Sequence, residues 1–146
     1  MVTGGGKMNT AILYATMTGN SLKIAEAIGE RFEITPQNVM GSSTLHITDT
    51  LIIVGGIYGG KSKKELKNFI KSLDLKKVTR VAVVTTSGAG KKRTASSEIV
   101  ELLKSKGITV LGELNIRGSA FIFPTGHPNE ADLKEAADWA EIIIKA

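Results

Sequence analysis

A chain of 146 residues with 42% hydrophobic and 23% charged residues has room for one domain with a real core, and its composition is ordinary globular, which excludes disorder. The absence of cysteine excludes disulfides, thiolate metal centres, iron–sulfur ligation and cysteine nucleophiles, and two histidines far apart in sequence leave no basis for a histidine metal cluster. The net charge of +5 comes from lysines spread over several predicted helix faces with few aromatics among them, so it reads as a solvated basic surface rather than a nucleic-acid interface.

Residues 1–8, "MVTGGGKM", read as a flexible leader, and the second methionine at position 8 marks 1–7 as an expected vector-derived remnant; the folded domain is expected over 9–146. No apolar run approaches the ~20 residues of a membrane span, and no cleavable export leader is evident, so a cytoplasmic protein without a membrane partner is expected. "TAILYA" (10–15) predicts a short buried strand. A helix follows over 20–32, with Leu22, Ala25, Ile28 and Phe32 on one stripe. "TPQNVM" (35–40) predicts a weak edge strand because of Pro36 and its polar neighbours. "TLIIVGG" (50–56) is a continuous apolar run, the signature of a strand buried on both faces. Ser62 and Glu65 have capping-box spacing, and Leu66, Phe69, Ile70 and Leu73 follow at i, i+3, i+4 and i+7, predicting a helix packed on a sheet.

"RVAVVTTSG" (80–88) repeats the pattern of a buried strand meeting glycine. A helix over 95–106 buries Ile99, Leu102 and Leu103 and stops at Gly107. "ITVLGEL" (108–114) and "SAFIF" (119–123) predict strand interrupted by Asn115, Ile116, Arg117 and Gly118. Pro128 and Asn129 open a last helix to about Lys145, burying Leu133, Ala137, Ala140 and Ile144, with Trp139 partly packed. No repeat and no dividing linker is present. The stretch 41–49 is too short for a further helix between the second and third strands.

Strands alternating with helices imply right-handed crossovers and a parallel sheet covered on both faces. The expected domain is a three-layer, doubly wound α/β fold with five parallel strands. Ligands of such sheets bind beyond the carboxyl ends of the strands, where strand order reverses. Three glycine- or hydroxyl-rich segments fall at those ends, 16–21, 55–60 and 85–90, and are expected to converge on one site.

In the first segment Thr16, Thr18 and Ser21 bring hydroxyls, Gly19 permits close backbone approach, Asn20 tolerates turn geometry, and Met17 sits among them. The helix that follows offers N–H groups and the positive end of its dipole, so the segment predicts a cradle for a phosphate. With no lysine or arginine in the loop, a monoester suits it better than a triphosphate with magnesium. The Walker pattern and G-x-G-x-x-G after the first strand are both absent. A loop that merely capped its helix would need one hydroxyl rather than three.

"TMTGNS" resembles the [ST]-x-T-G-[NT]-[ST] phosphate loop of flavodoxins, which follows their first strand and holds the phosphate of FMN. The likeness runs over about 9–145. "TLIIVGGIYGGKSKKELKNFI" resembles the third strand, flavin loop and third helix of that family, "VAVVTTSGAG" its fourth strand and second flavin loop, and "GHPNEADLKEAADWAEII" the ending of a flavodoxin-like subgroup. The resemblance implies strand order 2-1-3-4-5, an FMN cofactor and an electron carrier. It places Thr16, Met17, Thr18, Gly19, Asn20 and Ser21 on the phosphate. It places Gly56, Ile57, Tyr58, Gly59 and Gly60, and Thr86, Ser87, Gly88, Ala89 and Gly90, around the ring, with Tyr58 available to stack on it. It further implies that a peptide at Gly59 or Gly60 can turn over when the flavin gains a proton at N5. Many flavodoxins carry a second aromatic in the second loop; none stands here.

Typical flavodoxins are acidic, whereas here Lys61, Lys63 and Lys64 follow the first flavin loop and Lys91, Lys92 and Arg93 the second. Such cations favour the reduced, anionic flavin and a redox partner with an acidic docking face. An FMN-dependent NAD(P)H reductase of quinones or other small acceptors, and a non-redox binding module of the same fold, are the alternative readings. His127 reads as a capping or packing residue before the last helix, and His46 has no expected role. No G-x-S-x-G elbow exists. Asp49 precedes the third strand, whereas a receiver-type phosphoacceptor would stand at its carboxyl end, where Gly55 and Gly56 lie.

Overall fold

Runs of Val, Ile and Leu too apolar to leave either side wet build a parallel sheet in the computed structural model, which describes residues 9–15, 19–39, 49–58, 61–62, 64–73, 78–87, 93–117 and 128–145. The strands are β1 (Thr10–Ala15), β2 (Gln37–Asn38), β3 (Thr50–Tyr58), β4 (Lys61–Ser62), β5 (Arg80–Ser87) and β6 (Thr109–Arg117). The order β2-β1-β3-β5-β6 is parallel throughout, the expected 2-1-3-4-5 pattern of the five main strands. The short β4 pairs antiparallel with the end of β3. Helices α1 (Asn20–Phe32), α2 (Lys64–Lys71), α3 (Arg93–Ser105) and α4 (Glu130–Lys145) flank the sheet.

Alternation along each strand splits the core into two layers. Leu13, Leu51, Ile53, Val81 and Val83 pack with Leu66 and Ile70 of α2 and Ile99 and Leu103 of α3. Ile12, Ile52, Val54, Ala82 and Val84 pack with Ile24, Ala25 and Ile28 of α1 and Ala136 and Ala140 of α4. Leu73, two residues past α2, is still buried in the first layer. Trp139 joins the second layer, where its ring would come within 3.3 Å of any Cβ placed on Gly112. Its expected partial packing is borne out.

Two expectations are corrected. β6 does not stop at Leu114: it runs through Asn115, Ile116 and Arg117, all three paired with β5. The alternation that should have revealed this is broken by a bulge. Val110 pairs with Val81 and Gly112 with Ala82, leaving Leu111 as an extra residue that shifts the strand's phase by one. Ser62, expected at the start of α2 from its capping-box spacing, belongs to β4, and the helix opens at Lys64. The predicted strand 119–123, the stretch 41–48 and His46 and His127 lie outside the described residues.

Helix ends are closed by specific devices. At α4, Asn129 N–H donates to Asp132 Oδ2 and Asp132 N–H donates to Asn129 Oδ1, each at 2.9 Å, a reciprocal cap. α3 ends as Gly107 suggested, with φ 85°, Gly107 N–H donating to Lys104 O at 2.9 Å and Ile108 N–H to Leu103 O at 3.1 Å. α1 closes in the same way but places Glu33, not glycine, in the left-handed region at φ 59°, with Ile34 N–H donating to Gly29 O at 2.9 Å. Gly29 makes that return possible, since a Cβ there would collide with the Ile34 carbonyl and stand 3.1 Å from Pro36 Cδ.

At the amino-terminal edge of the sheet, cations tie helix ends down. Arg80 donates to Thr50 Oγ1 at 3.2 Å and to the Ile144 carbonyl of α4 at 3.1 Å, and Lys106 donates to the Lys71 carbonyl at the end of α2. On the surface Arg31 of α1 reaches Asp138 at 2.8 Å and Glu141 at 3.0 Å of α4. Lys134 and then Arg31 hold Asp138 below its ordinary pKa, and Lys145 and then Arg31 do the same for Glu141. These groups are solvated, so the network orients α1 against α4 more than it stabilises them.

Two substitutions around the α1 terminus should act in opposite directions. Gly29→Ala improves helix propensity yet should lower the melting temperature by several degrees, since overpacking costs roughly 1–3 kcal/mol and a chain of this size loses about 2–4 °C per kcal/mol. Glu33→Gly should raise it by about 1–3 °C, relief of a left-handed residue outweighing the added freedom of the unfolded chain. Thermal denaturation followed by circular dichroism reads both.

Candidate functional site

Because every main strand runs the same way, the carboxyl ends of β1, β3, β5 and β6 meet along one edge. Register pairing sets Ala15, Gly55, Thr85 and Asn115 in one row across the four strands, with Gly56, Thr86 and Ile116 in the next row outward. The segments 55–58 and 85–87 are therefore strand rather than loop. At Gly55 a Cβ would come within 2.7 Å of Leu66 Cδ2, so the glycine lets that side chain of α2 lie close on β3.

The switch in strand order lies between β1 and β3, and α1 begins directly above it. Its N-cap is Gly19, at φ 89° and ψ −5°, with no side-chain cap and no acidic residue in the first turn. α4 differs: it has the reciprocal cap and carries Glu130 and Asp132 in its first turn. The first turn of α1 thus brings no negative charge of its own to the positive end of the helix. Asn20 and Ser21 are buried there at 7% and 0% exposure. Ser21 Oγ finds no hydrogen-bond partner among the described residues. A buried hydroxyl without a partner at an uncapped helix start is a place for an anion.

On the far side of the same edge, Asn115 Nδ2 donates to Thr85 Oγ1 at 2.8 Å. Thr85 and Thr86 are buried, at 3% and 4% exposure. β3 and β4 form a hairpin in which Tyr58 pairs with Lys61 and Ile57 with Ser62, leaving a two-residue connection.

Of the residues expected at the site, Gly19, Asn20 and Ser21 stand at the start of α1, Gly56, Ile57 and Tyr58 at the end of β3, and Thr86 and Ser87 at the end of β5. The sheet brings these three groups to one edge. Thr16, Met17, Thr18, Gly59, Gly60, Gly88, Ala89 and Gly90 lie outside the described residues. Sequence reasoning missed the Thr85–Asn115 pair and the hairpin. The spacing of "IYGGKS" carried a hairpin signal, two glycines between short paired segments. Nothing local marks Asn115 as the partner of a residue 30 positions earlier. Asp49 sits at the amino end of β3, its carbonyl accepting from Thr79 and Arg80 N–H, away from this edge.

The model of the Flavodoxin domain family matches residues 11–118. An uncharacterized protein of Methanocaldococcus jannaschii is 29% identical over 150 residues, covering 94% of this chain and 99% of the relative. A flavodoxin from the domain Archaea superposes with a TM-score of 0.73 at 20% identity, covering 94% of this chain and 99% of that one. A flavoprotein from Lactobacillus acidophilus, solved in complex with FMN, gives 0.61 at 18% identity, covering 75% and 93%.

The unpartnered hydroxyl sets a test on the ligand-free protein. Ser21→Ala should stabilise it by roughly 1 kcal/mol, the penalty of an unmade buried hydrogen bond, or about 2–4 °C in melting temperature. That is more than the few tenths of a kcal/mol expected from alanine's helix propensity alone. A lower melting temperature would mean that the hydroxyl is satisfied within the fold.

Proposed function

This chain belongs to the flavodoxin domain family, and from that premise we propose that it is a cytoplasmic FMN-binding electron carrier, passing one or two electrons between partner proteins. The observation that carries this reading is the buried Ser21 hydroxyl, without a partner among the described residues, at the uncapped start of α1. The donor set fits a phosphate monoester: a hydroxyl, the amide-rich first turn, and Gly19, whose left-handed backbone leaves nothing within 4 Å of where a Cβ would stand. Bound FMN would supply the redox chemistry that this chain, without cysteine or a histidine cluster, does not carry in its own side chains.

The residues that would hold it are those the flavodoxin resemblance names. Ser21 would donate to the phosphate, with Thr16, Met17, Thr18, Gly19 and Asn20 beside it. Gly56, Ile57, Tyr58, Gly59 and Gly60 would flank one side of the ring, with Tyr58 available to stack on it. Thr86, Ser87, Gly88, Ala89 and Gly90 would flank the other. The flavoprotein from Lactobacillus acidophilus solved with FMN supports the choice of nucleotide. No helix among the described residues is long and apolar enough to cross a membrane.

The basic residues deepen the reading. Lys61 pairs with Tyr58 across the hairpin, α2 opens at Lys64 and α3 at Arg93, so backbone positions carrying cations border the edge on two sides. A cation there favours the reduced, anionic ring and suits a redox partner with an acidic docking face.

Calorimetric titration with FMN should give tight one-to-one binding, weakened ~10- to 100-fold by Ser21→Ala, the value of a hydrogen bond to a charged group. Absence of binding by the unaltered chain would leave only the non-redox module. Bleaching of bound flavin by NAD(P)H alone, followed by turnover on a small acceptor, would make it a reductase. For the charge, Lys61→Glu should make the potential of the second electron more negative, by about 59 mV for each tenfold loss of preference for the reduced form. Spectroelectrochemical titration of the two proteins decides it.

A further inference from the structure

The Thr85–Asn115 pair lies at the carboxyl edge and has been given no role so far. Two features set it apart from ordinary sheet packing. It is a side-chain hydrogen bond of 2.8 Å joining the buried Thr85 to the half-buried Asn115, at the opposite edge of the sheet from the Arg80–Thr50 contact. It also leaves the other half of the carboxamide unsatisfied: Asn115 Oδ1 is buried and finds no partner among the described residues. A valine and a leucine at these register partners would fill similar volume without that penalty, roughly 1–3 kcal/mol for an unpaired buried acceptor. The bulge at Leu111 is what brings Asn115 opposite Thr85; with an unbroken ladder Leu114 would take that place. A costly polar pair, delivered by a register device to the residue before Thr86 and Ser87, calls for a role other than stability.

We propose that Asn115 is a positioning residue for the bound nucleotide: through Thr85 it fixes the carboxyl end of β5, so that Thr86 and Ser87 meet the ring in one geometry. The inference rests on the flavin-binding reading. Asn115 need not touch the ligand. Its Nδ2–H holds the Thr85 hydroxyl and thereby limits how far the last residues of β5 lift from β6. The edge strand becomes a brace for the neighbouring strand that contributes to the site.

The test separates positioning from structure through a double variant. Thr85→Val with Asn115→Leu removes donor, acceptor and the unsatisfied oxygen together, so the ligand-free protein should melt at or above the unaltered chain. Amide exchange at Thr86 and Ser87 should nevertheless accelerate about tenfold, and FMN affinity should fall at least about fivefold. Thr85→Ser keeps the hydroxyl and should bind FMN within about twofold of the unaltered chain, whereas Thr85→Val alone should not; this pair of single variants decides the matter even if the double variant fails to fold. FMN affinity and exchange unchanged in Thr85→Val would overturn the inference while leaving the flavin reading intact. Failure of the unaltered chain to bind FMN would overturn both.

Discussion

Burial of the central strands on both faces is the constraint from which the rest follows. Leu51, Ile52, Ile53 and Val54 of β3 are wholly buried in succession, as are Val81 to Val84 of β5 to within 1%. Each such side chain is worth about 1.5–3 kcal/mol when removed from water, so neither face can be left open. Helices must therefore cover both sides, and a parallel strand order requires each helix to carry the chain back from the carboxyl edge to the amino edge. All four helices consequently start at one edge and finish at the other. A chemical polarity is imposed on the molecule before any particular side chain is considered.

The two edges have been used differently. At the amino edge, carbonyls at helix ends are met by Arg80 and Lys106, and the Asp49 carbonyl accepts from Thr79 and Arg80 N–H. Polar groups there are matched one to another. At the carboxyl edge stand both buried side-chain atoms that lack partners among the described residues, Ser21 Oγ and Asn115 Oδ1. They lie on separate strand–helix units, on opposite sides of β3 in the sheet. Local rules of polar satisfaction hold where the chain needs only to be stable and lapse at the edge where a nucleotide would sit.

What could be read from the sequence was whatever rested on periodicity or on a terminator. α1 spans 20–32 in both accounts, because Gly19 and the residues after Phe32 bound a clear apolar stripe. β3 and β5 announced themselves as uninterrupted apolar runs. The start of α1 at Asn20, directly after Gly19, was legible from that glycine and the polar residues around it. Three features were hidden for physical reasons. Ile24 is fully buried although the stripe was read through Leu22, because the face α1 presents is wide enough to include both. The continuation of β6 was masked by Leu111, since a single inserted residue inverts the alternation by which strands are recognised. The partnership of Asn115 with Thr85 depends on which strands are neighbours, information that resides in the topology rather than in any local window.

The bulge has a consequence beyond phase. β6 terminates the sheet, and among the described residues no strand pairs with its outer side. Nine residues of extended backbone with open donors and acceptors would invite a second molecule to add itself as another strand. The extra residue at Leu111 bends and twists that rim, and Glu113, exposed, places a negative charge on it. The irregularity that delivers Asn115 to its place thus also works against edge-to-edge association.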